Sequence, residues 1–348
     1  MTQATEIQFL GAPPSPYTRK MLGLVRYRKI PYRVIWGGHQ NPPEGLPVPK
    51  VKLLPTFYFP DEAGNLEAVV DSTPIIRRLE KQFAGRSVIP SDPEVAFYND
   101  LIEDFADEWI TKQMFHYRWY FEADRNNAGP LLIYWSNNTV SDEDAEKLAT
   151  YIIDRQFGRL YVVGSNDVTA GIIEDSYTRL IAILDKLLSK KGFVLGARPS
   201  SADFAIYGQF TQLGIIEPTS AAILSRLSPR LRAWIDIMED LSGLSPEEGD
   251  WFTATEARAH LKPLLEEIGR VYVPFLRANA KAVMTQKDSF ETLIDGRIWT
   301  QPTFPYQAKC LAALRQTYQG LPLQNQADIR ATLQAAGCDG LLADDSAE

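Results

Sequence analysis

Cysteine and histidine are scarce in this sequence. The two cysteines among 348 residues, Cys310 and Cys338, both lie near the C-terminus, and no Cys-x-x-Cys pair occurs. This argues against a disulfide framework and against a dithiol redox site. The three histidines, His39, His116 and His260, are scattered without the spacing of metal ligands. The sequence therefore predicts no metal site.

Long apolar runs and an excess of basic charge are also missing. No hydrophobic run approaches the length of a membrane span, and residues 2–6 lack the basic and apolar regions of a signal peptide. The net charge of −8 and the pI near 5.2 argue against nucleic acid as the main partner. We therefore expect a cytoplasmic protein that binds neither a membrane nor nucleic acid.

The composition is that of a folded, soluble chain, with 45% hydrophobic and 23% charged residues. A length of 348 residues is too great for one ordinary core. The sequence therefore predicts two domains and an extension.

The first eighty-odd residues alternate between strand and helix patterns. A strand, a helix and a second strand are followed by an irregular stretch rich in glycine and proline, and then by two strands and a helix. The predicted ranges are 7–10, 17–29 and 32–35, then 56–59, 66–70 and 72–83. This order is typical of a thioredoxin-like domain.

The first helix has a distinctive start. Ser15 is a favoured N-cap, and Pro16 fits the first helical position. A helix N-terminus carries free N–H groups and a partial positive charge, so it stabilises an anion. A hydroxyl held there can donate a hydrogen bond to a thiolate and lower the pKa of the thiol. Tyr17 and Thr18 are alternative donors, and an ordinary N-cap is the alternative interpretation of Ser15.

Three short segments carry a resemblance to a known family. They are SPYTRK at 15–20, LLPTFYF at 53–59 and DSTPIIRRLE at 71–80. In this order and spacing they resemble the active-site turn, the cis-proline segment and the acidic-serine pair of the glutathione transferase superfamily. The resemblance implies a glutathione-binding domain at 1–86.

The resemblance also implies roles for individual residues. Ser15 would stabilise the thiolate of glutathione, and Leu54, before a cis Pro55, would pair its backbone with the cysteinyl part. Asp71 and Ser72 would hold the γ-glutamyl end. Family members often have a lysine where this chain has Leu53. The residue that binds the glycine carboxylate is therefore open, with His39 and Lys52 as candidates.

After residue 93 the pattern becomes helical. Helices are predicted at 95–120, 142–160 and 172–189, and the aromatic side chains of the first are expected mainly to pack between helices. Ser200 and Asp203 form a variant capping box before an apolar helix. It resembles the structural cap of the family's helical domain, so these two residues are given no catalytic role. The resemblance implies an all-helical domain at 94–244.

Residues 245–348 form an extension without a recognised family. A helix is predicted at 255–282, interrupted at Pro263 and Pro274, followed by a β-hairpin at 290–301 that turns at Asp295-Gly296. Two helices, at 305–318 and 324–336, complete it. The extension could cover the substrate cleft, pack on the helical domain or bind a partner, and packing is favoured.

The resemblance implies a glutathione transferase that conjugates glutathione, as co-substrate, to a small apolar electrophile. It also implies a homodimer. A non-catalytic relative that binds or scaffolds is the alternative. A glutathione-dependent thiol reductase is disfavoured, because such enzymes resemble this scaffold with cysteine in place of Ser15.

Overall fold

The computed structural model describes residues 6–38 and 43–343, and it begins with a four-stranded sheet flanked by helices. The strand order is β2-β1-β3-β4, with β1 and β2 parallel and the other neighbours antiparallel. This is the thioredoxin-like domain that the sequence predicts. Its elements are β1 (Ile7–Gly11), α1 (Pro16–Tyr27), β2 (Tyr32–Trp36), β3 (Thr56–Pro60), β4 (Leu66–Val69) and α2 (Ser72–Gln82).

Buried aromatic side chains hold this sheet together. Phe9 on β1 stacks on Phe57 of β3 with 4.5 Å between ring centroids, and both rings are fully buried. The register pairs these two residues directly across β1 and β3, so their side chains lie on the same face of the sheet.

The middle of the chain is helical, as predicted. Its α-helices are α3 (Pro93–Phe105), α4 (Thr111–Trp119), α5 (Glu122–Ser136), α6 (Asp142–Phe157), α7 (Ala170–Lys191), α8 (Ser201–Thr211), α9 (Pro218–Leu227) and α10 (Pro229–Met238). A π-helical turn, Ala106–Ile110, joins α3 to α4 within the single helix predicted at 95–120. Helices α5, α9 and α10 were not predicted from the sequence.

Helix α1 and helix α8 approach each other closely at Gly208. A Cβ atom added there would lie 2.4 Å from the carbonyl oxygen of Pro16 and 3.2 Å from the amide nitrogen of Lys20. Only glycine lets the two backbones come this near. The contact fixes the first turns of α1 against the helical domain.

The extension contains the predicted hairpin and helices. It comprises α11 (Ala254–Glu267), a π-helical turn (Ile268–Tyr272), α12 (Val273–Met284), β5 (Ser289–Ile294), β6 (Arg297–Pro302), α13 (Pro305–Gln319) and α14 (Leu323–Ala335). Asp295 and Gly296 form the predicted turn, and their φ values of 52° and 71° are those of a type I′ turn. The predicted interruption at Pro263 is wrong, because Pro263 lies inside α11. The break falls at the π-helical turn before Pro274.

The extension packs on the helical domain. Trp109 lies 5.9 Å from Phe275 and 5.3 Å from Trp299, measured between ring centroids, and all three are fully buried. Phe105 and Tyr272 make a further edge contact. The hydrophobic core therefore runs without a break from the sheet into the extension. The boundaries at 1–86, 94–244 and 245–348 stay a prediction.

Candidate active site

Ser15 caps α1 and lies against the segment that contains Pro55. The amide of Thr18 donates to Ser15 Oγ at 3.2 Å, and Ser15 Oγ donates in turn to the carbonyl oxygen of Leu54 at 3.5 Å, a long hydrogen bond. The Leu54–Pro55 peptide bond is cis, as predicted. The hydroxyl of Ser15 is thus placed beside the Leu54 backbone, although 39 positions separate the two in the sequence.

Asp71 caps α2 in an unusual backbone conformation. Its φ and ψ are 81° and 111°, a backbone conformation that residues other than glycine rarely adopt. Its Oδ1 accepts a hydrogen bond from the amide of Thr73 at 3.3 Å. Holding a residue in such a conformation costs of order 1–3 kcal/mol of folding free energy, and residues of this kind concentrate at functional sites. The strain at Asp71 therefore favours a role for this carboxylate beyond capping.

Behind Ser72 lies a fully buried lysine. Lys20 Nζ donates to Ser72 Oγ at 3.0 Å, to Glu103 Oε1 at 2.8 Å and to Asp107 Oδ2 at 2.6 Å. Although burial alone would lower the pKa of Lys20, the charges of Asp107 and Glu103 raise it. Because Ser72 Oγ accepts from Lys20, its own proton is available for another acceptor.

The two carboxylates that bond to Lys20 have pKa values shifted in opposite directions. Burial alone would raise the pKa of Glu103, but the charges of Lys20 and Arg77 hold that pKa down to about 2. Burial raises the pKa of Asp107 to about 6, against the opposing effect of Lys20. Glu103 also accepts from Thr73 Oγ1 at 3.0 Å. These bonds connect the start of α2 to the helical domain.

Of the other two hydroxyls considered as thiolate donors, that of Tyr17 donates elsewhere and that of Thr18 is fully buried. Tyr17 Oη donates to the carbonyl oxygen of Asp107 at 2.7 Å, and burial together with Glu108 raises the pKa of Tyr17. Thr18 is buried, and its Oγ1 accepts from the amide of Ala12 at 3.3 Å. The ring of Tyr17 thus lies against the helical domain, and both residues stabilise the turn that presents Ser15.

A buried arginine holds the loop before Ser15. Arg118 donates from Nη1 to the carbonyl oxygen of Pro14 at 3.1 Å, from Nη2 to Gln212 Oε1 at 2.7 Å and from Nε to Glu217 Oε1 at 2.5 Å. The sequence analysis gave no role to Arg118 or to Lys20. For Lys20 a signal was present, since the spacing of Lys20, Leu24 and Tyr27 places the lysine on the buried face of α1.

Three of the six aromatic side chains from Trp109 to Phe121 are used in packing. Trp109, Tyr117 and Trp119 are buried, as expected for helix packing, whereas Phe115, Tyr120 and Phe121 are partly exposed. The apolar wall available to a substrate is therefore smaller than the sequence pattern suggests.

The glycine end of the ligand has no assigned partner. Lys52 is exposed near Leu54, and its role stays a prediction. His39 lies outside the described residues. Within the described residues, no group of three or more histidine, cysteine or acidic side chains is arranged to hold a metal ion. Among the helices of the same residues, none is both long enough and apolar enough to cross a membrane.

Comparison with known proteins identifies two domains. The model of the glutathione S-transferase N-terminal domain matches residues 9–87, and the model of the glutathione S-transferase C-terminal domain matches residues 153–236. Among curated proteins none matches the sequence.

Several solved structures show a weak similarity. A glutathione S-transferase of Methylobacterium radiotolerans, in complex with glutathione sulfonate, is 15% identical over 70% of this chain and 99% of its own, with a TM-score of 0.36. A family member from Pseudomonas fluorescens with two glutathione molecules bound is 15% identical over 68% and 89%, with a TM-score of 0.42. The Tau class enzyme of mango is 18% identical over 75% and 100%, with a TM-score of 0.39. The matches to the two domain models, rather than these structures, show that residues 9–87 and 153–236 are the N- and C-terminal domains of the glutathione S-transferase superfamily.

Proposed function

We propose that this chain binds glutathione and transfers it, as the thiolate, to a small apolar electrophile. The observation that carries the proposal is the contact of Ser15 Oγ with the carbonyl oxygen of Leu54, next to the cis peptide bond. A ligand that pairs its cysteinyl backbone with Leu54, as an added strand pairs with a sheet edge, would bring its sulfur close to Ser15.

The γ-glutamyl end of glutathione matches the start of α2. Its carboxylate suits the hydroxyl of Ser72, whose oxygen accepts from Lys20 and whose proton is therefore free to bond to the ligand. The helix N-terminus favours the same negative charge. The ammonium group of the same γ-glutamyl end can donate a charge-assisted hydrogen bond to the carboxylate of Asp71.

The proposed chemistry needs a hydrogen-bond donor rather than a base at position 15. The hydroxyl of Ser15 donates to the glutathione sulfur after the thiol has lost its proton to solvent, and the positive end of α1 stabilises the same anion. The thiolate then forms a bond to the electrophilic carbon while that carbon loses its bond to a leaving group, which departs with the electron pair, or its π bond to a neighbouring atom, which takes up the electron pair and then a proton from solvent. Phe115 and Phe121, which are partly exposed, would provide apolar contacts for that substrate.

The proposal includes a homodimer and a cytoplasmic location. The helical face formed by α3 and α7 is covered by the chain's own extension, so a homodimer would pair through other surfaces. Cys310 and Cys338 are both free thiols, which suits a reducing compartment.

The test is the pKa of the thiol of bound glutathione, followed by the ultraviolet absorbance of the thiolate. Ser15→Ala should raise that pKa toward the value of a free thiol, about 8.5. Because one positioned donor to a developing anion is lost, conjugation should slow by up to about 10²-fold at neutral pH.

Tyr17→Phe is the matched control, since it removes a hydroxyl only two residues along the chain from Ser15, which bonds to the carbonyl oxygen of Asp107 instead. Its bound-thiol pKa should equal that of the wild type. A pKa that moves with Tyr17→Phe and not with Ser15→Ala would overturn the assignment. Binding of glutathione with an unshifted thiol pKa in the wild type would instead favour the non-catalytic alternative.

A further inference from the structure

The C-terminal extension reaches the predicted γ-glutamyl subsite. Tyr306, in the first turn of α13, donates from its Oη to Asp71 Oδ2 at 2.7 Å, across 235 positions of sequence. The other oxygen of Asp71 accepts from the amide of Thr73. Both carboxylate oxygens are therefore oriented, one by its own helix and one by the extension.

Tyr306 is held in place from both sides. Asn279 is fully buried in α12, where its Nδ2 donates to the carbonyl oxygen of Phe304 at 2.9 Å and its Oδ1 accepts from the amide of Phe304 at 2.8 Å. On the other side, Gln307 Nε2 donates to Glu108 Oε2 at 3.0 Å. The tyrosine itself is 41% exposed, so it combines a fixed backbone with an accessible side chain.

The hydroxyl of Tyr306 has spare capacity for a ligand. A phenol that donates to a carboxylate keeps its oxygen lone pairs as acceptors, and a carboxylate oxygen can accept from more than one donor. Burial and the charge of Asp71 raise the pKa of Tyr306, which keeps the phenol protonated at neutral pH. An ammonium group at Asp71 would thus meet two acceptors, the carboxylate and the phenol oxygen.

We propose that Tyr306 is a specificity residue of the γ-glutamyl subsite, through which the extension selects ligands that carry a free α-ammonium group. This inference rests on the proposed function, because it takes glutathione as the ligand of Asp71. It assigns to residues 245–348 a part in ligand recognition in addition to their packing on the helical domain.

The experiment compares two ligands by isothermal titration calorimetry. They are reduced glutathione and its deamino analogue, in which hydrogen replaces the α-amino group. Tyr306→Phe keeps the ring and removes the hydroxyl, and should weaken the binding of glutathione about tenfold, as expected for one hydrogen bond to a charged group. Its affinity for the deamino analogue should equal that of the wild type. Tyr318→Phe serves as the control, since Tyr318 lies in the same helix as Tyr306 but donates from its Oη to the carbonyl oxygen of Gln326 in α14, away from Asp71.

Three results would overturn the inference. The first is an unchanged affinity of Tyr306→Phe for glutathione. The second is a tighter affinity, which would mean that the hydroxyl of Tyr306 competes with the ammonium group for Asp71. The third is an equal loss of affinity for both ligands, which would mean that the hydroxyl only supports packing. Asp71→Asn separates these results from failure of the proposed function. If Asp71→Asn weakens binding and Tyr306→Phe does not, only the role of Tyr306 is wrong. If neither changes the affinity, the site itself is misplaced.

Discussion

Helices α1 and α8 both begin at a serine N-cap, but the two serines lie in opposite surroundings. Ser200 is fully buried, where it accepts from the amide of Asp203 at 3.3 Å and donates to Asp203 Oδ2 at 2.7 Å. Ser15 is only partly buried, and its hydroxyl donates outward to the Leu54 backbone at 3.5 Å. The Ser200 hydroxyl makes both of its hydrogen bonds within its own helix start, whereas the Ser15 hydroxyl can exchange the Leu54 carbonyl for a ligand.

The two aspartates show the same difference. Asp203 accepts from the amides of Val194 and Ser200, each at 2.9 Å, as well as from the Ser200 hydroxyl, and it is fully buried. Asp71 is partly exposed, with a positive φ and one bond to its own helix. A cap whose partners are all internal is structural. A cap with accessible acceptor capacity is a candidate binding residue, and local sequence alone does not separate the two.

Asp203→Ala should give the largest effect, and it should act on stability. The amides of Val194 and Ser200 would remain buried without an acceptor, and each such group costs about 1–3 kcal/mol, so a loss of roughly 3 kcal/mol is expected. Chemical denaturation followed by tryptophan fluorescence measures it. Below the unfolding transition the glutathione affinity should be that of the wild type. Retained stability with weakened glutathione binding would reverse the roles assigned to the two caps.

Replacing each serine by glycine should sharpen the comparison with smaller effects. Glycine is an acceptable N-cap, so Ser15→Gly should lower the free energy of unfolding by only about 0.3 kcal/mol. Ser200→Gly should cost about 1–2 kcal/mol, because it also removes a buried bond to Asp203. Paired thermal denaturation of the two variants measures the difference. Equal losses would show that burial does not distinguish the two helix starts.

Local pattern predicted much of the fold. Alternation and turn residues predicted the four strands, the order of strands and helices in the first domain, and the turn at Asp295-Gly296. The pattern missed the π-helical turn Ala106–Ile110, because a single widened turn barely disturbs the apolar spacing of a long helix. It also gave no prediction for α9 and α10, which only Ser228 separates.

The candidate site was predictable only in part. Ser15, Leu54, Pro55 and Asp71 lie in short motifs, and the structure brings Ser15 beside Leu54 as the resemblance implies. The partner of Asp71 outside its own helix does not lie in a motif. Tyr306 reaches Asp71 from the far end of the chain, and such contacts are set by tertiary packing rather than by neighbouring residues.

The central claim, a glutathione site at the start of α2, is tested most directly by the affinity of Asp71→Asn for glutathione. Asparagine is as good an N-cap as aspartate, so this change removes the charge and keeps the helix start. Calorimetry should show binding weaker by about 10- to 150-fold, the equivalent of about 1.5–3 kcal/mol for a charge-assisted hydrogen bond. Asp61→Asn, at the turn between β3 and β4, should bind as the wild type does. An Asp71→Asn variant that binds glutathione as tightly as the wild type would contradict the account.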